Sequence, residues 1–254
     1  MKLPKTPSFR LDGRRALVTG AGRGIGLGAA AALAEAGAHV TLAARTADEI
    51  EAAAAAIRDR GEQAAALTLD VTDTARMKAE ISARGPFQVL VNNAGTNRPA
   101  PMAEMSEEDY DLVTDLNVRA AYFVAQAVSE GLLGAGLPGS IINISSQMGH
   151  VGGPNRTVYC ATKHAIEGMT KALAWEVGAQ GIRVNALCPT FIETPMTAGM
   201  LEDAAFHASV VEKIAIGRVG QTEDLMGAVV FLASDASLMV TGSALMVDGG
   251  WTAQ

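Results

Sequence analysis

RALVTGAGRGIGLGAAAALAEAG, residues 15–37, passes from a β-branched segment through a glycine turn into an alanine-rich stretch. The order predicts a strand over 15–20 and a helix over 24–37 that Gly37 closes. Gly20, Gly24 and Gly26 fall between them. Glycines in that position allow a tight turn and let the backbone approach a pyrophosphate, which then meets the helix N-terminus. A glycine triplet without flanking strand and helix is a weak signal; here both flanks are present. Gly20, Arg23, Gly24, Ile25 and Gly26 are therefore expected to cradle a dinucleotide.

The same alternation continues downstream. Strands are expected at 39–44, 65–70, 89–95, 140–145, 182–188 and 244–248. Helices are expected at 46–61 (Thr46 as cap, Gly61 as stop), about 73–84, about 107–133, from near Val158, and at 222–233, with an irregular stretch after residue 188. Apolar strands each followed by a helix imply a parallel sheet buried on both faces. The expectation is one doubly wound α/β domain of about seven strands over 1–254, with residues 1–10 as an arm.

Bulk properties narrow the partners. The chain has 254 residues, 49% apolar and 19% charged, with net charge −7. That balance argues against nucleic acid or an anionic membrane as partner. The longest apolar run, MGAVVFLA at 226–233, is too short to span a bilayer. The N-terminus lacks the apolar stretch of a secretory signal. Cys160 and Cys188 have no CxxC spacing and read as reduced thiols of a cytoplasmic protein.

The second strand bears on the cofactor. A 2′-hydroxyl is usually held by an acid at that strand's end, and a 2′-phosphate by arginine. Here the strand ends Ala43-Ala44-Arg45, and Arg23 lies in the glycine loop. No acid competes in this reading, so NADP(H) is favoured over NAD(H). Asp70, followed by Val71, ends the third strand, where its carboxylate either accepts from adenine or caps the next helix. Asn92, Asn93 and Gly95 end the fourth strand and fall on the ligand's path.

The stretch SSQMGHVGGPNRTVYCATK, 145–163, puts Tyr159 and Lys163 at i, i+4 on one helical face. A phenol near pKa 10 is a poor base at neutrality. A nearby ammonium and a positively charged nicotinamide would lower that pKa, and a serine hydroxyl could hold the substrate oxygen.

The glycine loop TGAGRGIG, NNAG at 92–95, Ser146 and YCATK at 159–163 together resemble the short-chain dehydrogenase/reductase family, over essentially the whole chain to VDGG at 247–250. The resemblance implies a Rossmann-type fold and hydride transfer between NAD(P) and an alcohol–ketone pair. It selects Ser146, thirteen positions before Tyr159, as the catalytic serine, and gives Lys163 a second role on the nicotinamide ribose. It implies that Asn117 anchors a water relaying protons to Lys163; by itself Asn117 reads as a polar residue kinking or capping a helix. Pro189, Ile192 and Thr194 would border the nicotinamide, although Thr190 stands where the family has glycine. A homotetramer is also implied, built partly from the 107–133 and 160–178 helices and the last helix and strand. Gln254 resembles the end of members that bind a structural magnesium.

The loops expected to meet substrate hold Asn97, Arg98, Gln147, His150, Asn155 and Arg156. Such polar groups suit a small hydroxylated or carboxylated molecule, with Arg98 or Arg156 as anion clamps. DGGWTAQ and NNAGTNRP resemble the sugar-acid and polyol branch, gluconate 5-dehydrogenases among it. A 3-oxoacyl-thioester reductase would share the catalytic residues but need a long apolar channel and a basic carrier-binding patch. A non-catalytic dinucleotide sensor would be expected to lack the tyrosine or the lysine. No metal-ligand spacing surrounds His150, and no catalytic metal is assigned.

Overall fold

The protein is described by a computed structural model over residues 1–253. The Gln254 magnesium expectation lies outside the described residues. Seven strands form one parallel sheet in the order β3-β2-β1-β4-β5-β6-β7. They are β1 (Arg15–Thr19), β2 (His39–Ala44), β3 (Ala64–Thr68), β4 (Val89–Asn92), β5 (Gly139–Ile144), β6 (Ile182–Pro189) and β7 (Ala244–Val247). The helices are α1 (Gly24–Glu35), α2 (Ala47–Asp59), α3 (Thr74–Arg84), α4 (Glu107–Thr114), α5 (Ala121–Ala135), α6 (Thr157–Val177), α7 (Ala198–Leu201), α8 (Ala204–Val211) and α9 (Glu223–Ala233).

Strand side chains alternate between two cores, as period-2 geometry requires. Ala16 and Val18 of β1 pack with Leu33, Ile50, Val229 and Leu232 on one face. Leu17 between them packs with Met77, Val124, Leu132 and Val177 on the other. Both faces are covered, which is why β4 and β6 are buried along their whole length. Residues 1–10 are exposed and carry no helix or strand, while Leu11 is fully buried.

The chain reverses its direction of strand addition between β1 and β4, so the crevice beyond their C-terminal ends is left open. Two departures from the sequence reading shape what surrounds it. The expected 107–133 helix is interrupted: a π-helical segment, Asp115–Ala120, separates α4 from α5 and turns Asn117 inward. The stretch after β6, read as irregular, contains α7 and α8. β3 also ends two residues before Asp70, and β4 ends at Asn92, three before Gly95.

Candidate active site

A cleft of about 240 Å³ opens at the β1/β4 junction. Its walls include Gly20, Arg23, Gly24, Ile25, Gly26, Arg45, Asp70, Val71, Asn93, Gly95 and Thr194. A Cβ on Gly26 would lie 2.3 Å from the Gly20 carbonyl oxygen, so only glycine allows this turn. No side chain caps α1, because its N-cap is Arg23 without a cap hydrogen bond. The first amides of α1 thus face the cleft unpaired by side chains, as a pyrophosphate site requires.

Two arginines flank this cleft, but they are not alone. Glu49 also lines it, with Oε1 3.6 Å from Nη1 of the 70% exposed Arg23. The expectation that no acid competes is thereby corrected. Thr46 and Glu49 have the spacing of a capping box, which disguises the acid. In the structure Thr46 makes no cap hydrogen bond, and Glu49 turns back across Gly22 instead. Asp70 does not cap α3; Asp73 does, accepting from the Arg76 amide. Asp70 accepts from the Thr72 amide (2.9 Å) and hydroxyl (2.7 Å). Burial pushes its carboxyl up, but these bonds and Arg45 outweigh that and hold it below the usual value.

The asparagines at the end of β4 and just after it act mainly as fasteners. Asn93 donates from its side chain to the carbonyls of Thr19 (2.9 Å) and Gly20 (3.0 Å), fixing the glycine turn to β4. Asn92 is buried and donates to the Ala121 carbonyl at 2.8 Å, away from the cleft.

The cleft continues into a smaller cavity of about 120 Å³ that brings Ile25, Ser146, Tyr159, Lys163, Pro189, Ile192 and Thr194 together. The sequence separates these residues by up to 169 positions, from Ile25 to Thr194; the parallel sheet brings them to one end. Thr190, in place of the family glycine, does not have positive φ, so the loop needs no glycine there.

Ser146 Oγ donates to Gln147 Oε1 (2.8 Å) and accepts from the Met148 amide (3.1 Å). Lys163 is buried; its Nζ donates to the Ile144 carbonyl at 2.8 Å and stands 5.5 Å from the Tyr159 ring centre. Burial lowers the Lys163 pKa from its ordinary 10.5 to about 8. Burial also pushes the Tyr159 phenol up, with Ser146 and Arg156 pulling it back in part. Among the protein groups alone burial therefore prevails at the phenol, and the Lys163 ammonium stands over the ring and is tied to the Ile144 carbonyl. Asn117 lines neither cavity. Its Oδ1 accepts from the Thr96 amide (2.8 Å), and its Nδ2 donates to the Thr96 carbonyl (2.9 Å) and Thr162 hydroxyl (3.2 Å). Its side chain pins the loop after β4 to the residue preceding Lys163.

Beyond Tyr159 lies a chamber of about 400 Å³. Ser146, Gln147 and Arg156 line it, as does Asn97. Arg98 instead pairs with Asp109 at 3.3 Å and is half exposed. His150 turns toward Glu167, and Asn155 is exposed with φ 58°. The wall is also less polar than the loops suggest, because Met148, Phe191, Met196 and Met200 contribute to it. These apolar residues had no sequence signal, since they sit in loops, a single 3-10 turn and the four-residue α7, all too short for a period to be read.

Three lining residues carry buried atoms with no hydrogen bond among the described residues: Arg156 Nη1, Asn97 Oδ1 and Thr190 Oγ1. Arg156 is 7% exposed, and among the described residues its Nη2 meets only the Met200 sulfur, at 3.2 Å. Burial pulls its pKa down; Tyr159 and Cys160 compensate only in part.

A glycine-turn cleft leading to a serine, tyrosine and lysine at the sheet's C-terminal end defines a nicotinamide-dependent oxidoreductase. The chain belongs to the short-chain dehydrogenase/reductase family. The matching family model is described as enoyl-(acyl carrier protein) reductase and spans residues 20–252. A gluconate 5-dehydrogenase from Gluconobacter oxydans (strain 621H) is 41% identical over 248 residues, 96% of each chain. A D-erythrulose reductase from Gallus gallus is 39% identical, covering 96% of this chain and 98% of its own. A crystal structure of a gluconate 5-dehydrogenase from Burkholderia cenocepacia J2315, in complex with NADP and tartrate, superposes with TM-score 0.93 at 40% identity. It is covered to 98%, and this chain to 97%.

The protein is thus an oxidoreductase interconverting CH–OH and carbonyl groups with a nicotinamide dinucleotide.

Proposed function

We propose that the substrate is a small hydroxylated carboxylic acid, of the sugar-acid class, and that NADP(H) is the preferred cofactor. The observation that carries the substrate class is Arg156: a buried guanidinium, with one nitrogen unpaired, in the chamber beside Tyr159. A buried cation without a counter-ion is costly, and a bidentate carboxylate is its best partner. Asn97 and Thr190 offer further polar atoms for substrate hydroxyls. The gluconate 5-dehydrogenase relatives support this reading, and tartrate, bound in one of them, is itself a hydroxy dicarboxylate. Arg23 and Arg45 beside the cleft support a 2′-phosphate, as does the NADP in that relative.

The chemistry follows from the positions of the groups. The bound nicotinamide supplies or accepts the hydride. In the reductive direction, Ser146 holds the carbonyl oxygen and the Tyr159 hydroxyl donates the proton to it. A phenol that burial keeps protonated suits that role. In the oxidative direction Tyr159 must instead accept the proton, which needs positive charge close to its oxygen. Lys163, held by Ile144, borders the cavity where the ribose hydroxyls would lie. Asn117 braces the segment before Lys163, and the family role of anchoring a proton-relaying water is proposed for the π-helical turn that contains it.

A turnover panel tests the substrate class. Sugar acids, neutral ketoses, polyols, hydrophobic ketones and 3-oxoacyl thioesters would be compared with NADP(H) and NAD(H). Sugar acids should lead. Fast thioester or hydrophobic-ketone reduction without sugar-acid turnover ends the proposal, and the methionine wall makes the thioester arm a real competitor.

A cytoplasmic homotetramer completes the proposal. Trp175 on α6 is 90% exposed, and Tyr122 and Leu133 on α5 are 50% and 44% exposed. Apolar exposure of this size suits burial against further copies. A monomer by light scattering at working concentration would refute it.

A further inference from the structure

Outside the cleft and the chamber, the fold collects three unlike donors that the sequence keeps far apart. His150 follows the turn after β5, Glu167 lies on α6, and Cys188 lies near the end of β6. His150 Nε2 is 3.6 Å from Glu167 Oε1 and 3.6 Å from Cys188 Sγ, and that sulfur is 3.3 Å from the same carboxylate oxygen. The three atoms form a nearly equilateral triangle. Zinc bonds of about 2.0–2.3 Å at tetrahedral angles place ligand atoms about 3.3–3.6 Å apart.

Burial separates this trio from an ordinary surface cluster. Cys188 is fully buried and Glu167 is 5% exposed, while the His150 side chain is 32% exposed and leaves a way in from solvent. A thiol-to-carboxylate hydrogen bond accounts for one edge of the triangle and a histidine–glutamate pair for another. Neither requires all three donors to converge. None of the three donors lines the cleft, the cavity or the chamber, although the Cys188 and Glu167 side chains favour the charged form of Lys163.

We propose that His150, Glu167 and Cys188 bind one zinc-class divalent cation per chain, with a water as fourth ligand. The Cys188 thiol loses its proton to solvent as the metal–sulfur bond forms. The ion ties together three segments that also carry active-site groups. His150 lies four residues after Ser146, Glu167 four after Lys163, and Cys188 just before Pro189. Its role is to brace these segments from behind, so binding raises the thermal midpoint.

Cobalt(II) is the probe, because a thiolate ligand gives it a near-ultraviolet charge-transfer band. Chelator-treated full-length protein is titrated with cobalt(II), and zinc(II) is then added to displace it. The expected result is one ion per chain, a thiolate band, and loss of both in Cys188→Ser and His150→Ala. Cys160→Ser and His164→Ala should keep both. Since Cys188 is a core residue, dinucleotide binding by each variant reports folding, and the exposed His150 gives an independent route. Absence of the band, its survival in Cys188→Ser, or stoichiometry unchanged by His150→Ala overturns the proposal. Neither the substrate nor the NADP preference enters the outcome.

Discussion

The cleft proposed for the dinucleotide and the chamber proposed for the substrate share one end of one sheet, yet they are built differently. The cleft consists largely of backbone: glycines at fixed spacing, a helix N-terminus, and the ends of β1, β2 and β4. The chamber consists of side chains delivered by loops and by α6 and α7, from Asn97 through Arg156 and Tyr159 to Met200. Backbone recognition leaves a short-range trace in sequence, because a turn needs its glycines at set intervals. A side-chain wall leaves none, because neighbouring residues on one loop point in opposite directions. Arg156 faces the chamber while Asn155 faces solvent, and Asn97 faces it while Arg98 pairs with Asp109.

That contrast can be broken by mutation, and the largest effect should come where the two regions meet. Tyr159→Phe should lower turnover by about 10²–10⁴-fold, the usual worth of a positioned acid–base. NADP affinity should stay near wild type in a binding titration. Loss of both together would mean that Tyr159 belongs to the cleft's structure and not to its chemistry.

Next is the ammonium beneath the cavity. The Lys163 pKa falls from 10.5 to about 8 on folding, so burying its charge opposes folding below pH 8. Between those two values the unfolded chain binds more protons, and this penalty fades as pH rises. Denaturation of the dinucleotide-free protein and of Lys163→Met should therefore converge from pH 8 to 10.5. The variant should lead by roughly 3 kcal/mol at neutrality, discounting packing changes. A stability difference that stays flat across this window would contradict the burial argument.

Arg156→Ala should weaken kcat/KM for a sugar acid by about 30-fold, the scale of one charged hydrogen-bonded contact. Turnover of a neutral ketose should be little changed. Equal losses on both would assign Arg156 to loop structure instead of charge recognition. The smallest effect concerns the cleft's mouth, where Glu49 opposes a 2′-phosphate. Glu49→Gln should improve the NADP-to-NAD ratio of kcat/KM by only a few fold, because its pairing with exposed Arg23 is worth less than about 1 kcal/mol. A shift toward NAD would reverse the electrostatic reading.

The sheet was legible because each strand is a short apolar run bounded by turn residues, and the register places Gly20 and Asn93 where spacing puts them. The i, i+4 pairing of Tyr159 and Lys163 was legible for the same reason. What escaped depended on tertiary placement. Glu49 carried a local capping pattern, and its actual partner Arg23 comes from another loop. The π-helical turn at Asn117 follows from hydrogen bonds to Thr96 and Thr162, 21 and 45 residues away. His150 has no ligand spacing in sequence, and its neighbours arrive from α6 and β6.

Asn155 is the one non-glycine residue with positive φ among the described residues, and its carbonyl accepts from the Ala100 amide at 3.2 Å. Asparagine tolerates that left-handed turn, and a β-branched residue does not. The torsion that orients Arg156 is thus encoded one position upstream, at an exposed side chain outside the chamber lining. A single valine at 155 would strain that torsion and shift the guanidinium, changing both the chamber wall and the charge that lowers the Tyr159 phenol pKa. With Arg156 in the role proposed for it, selectivity can therefore drift through the backbone handedness of one residue.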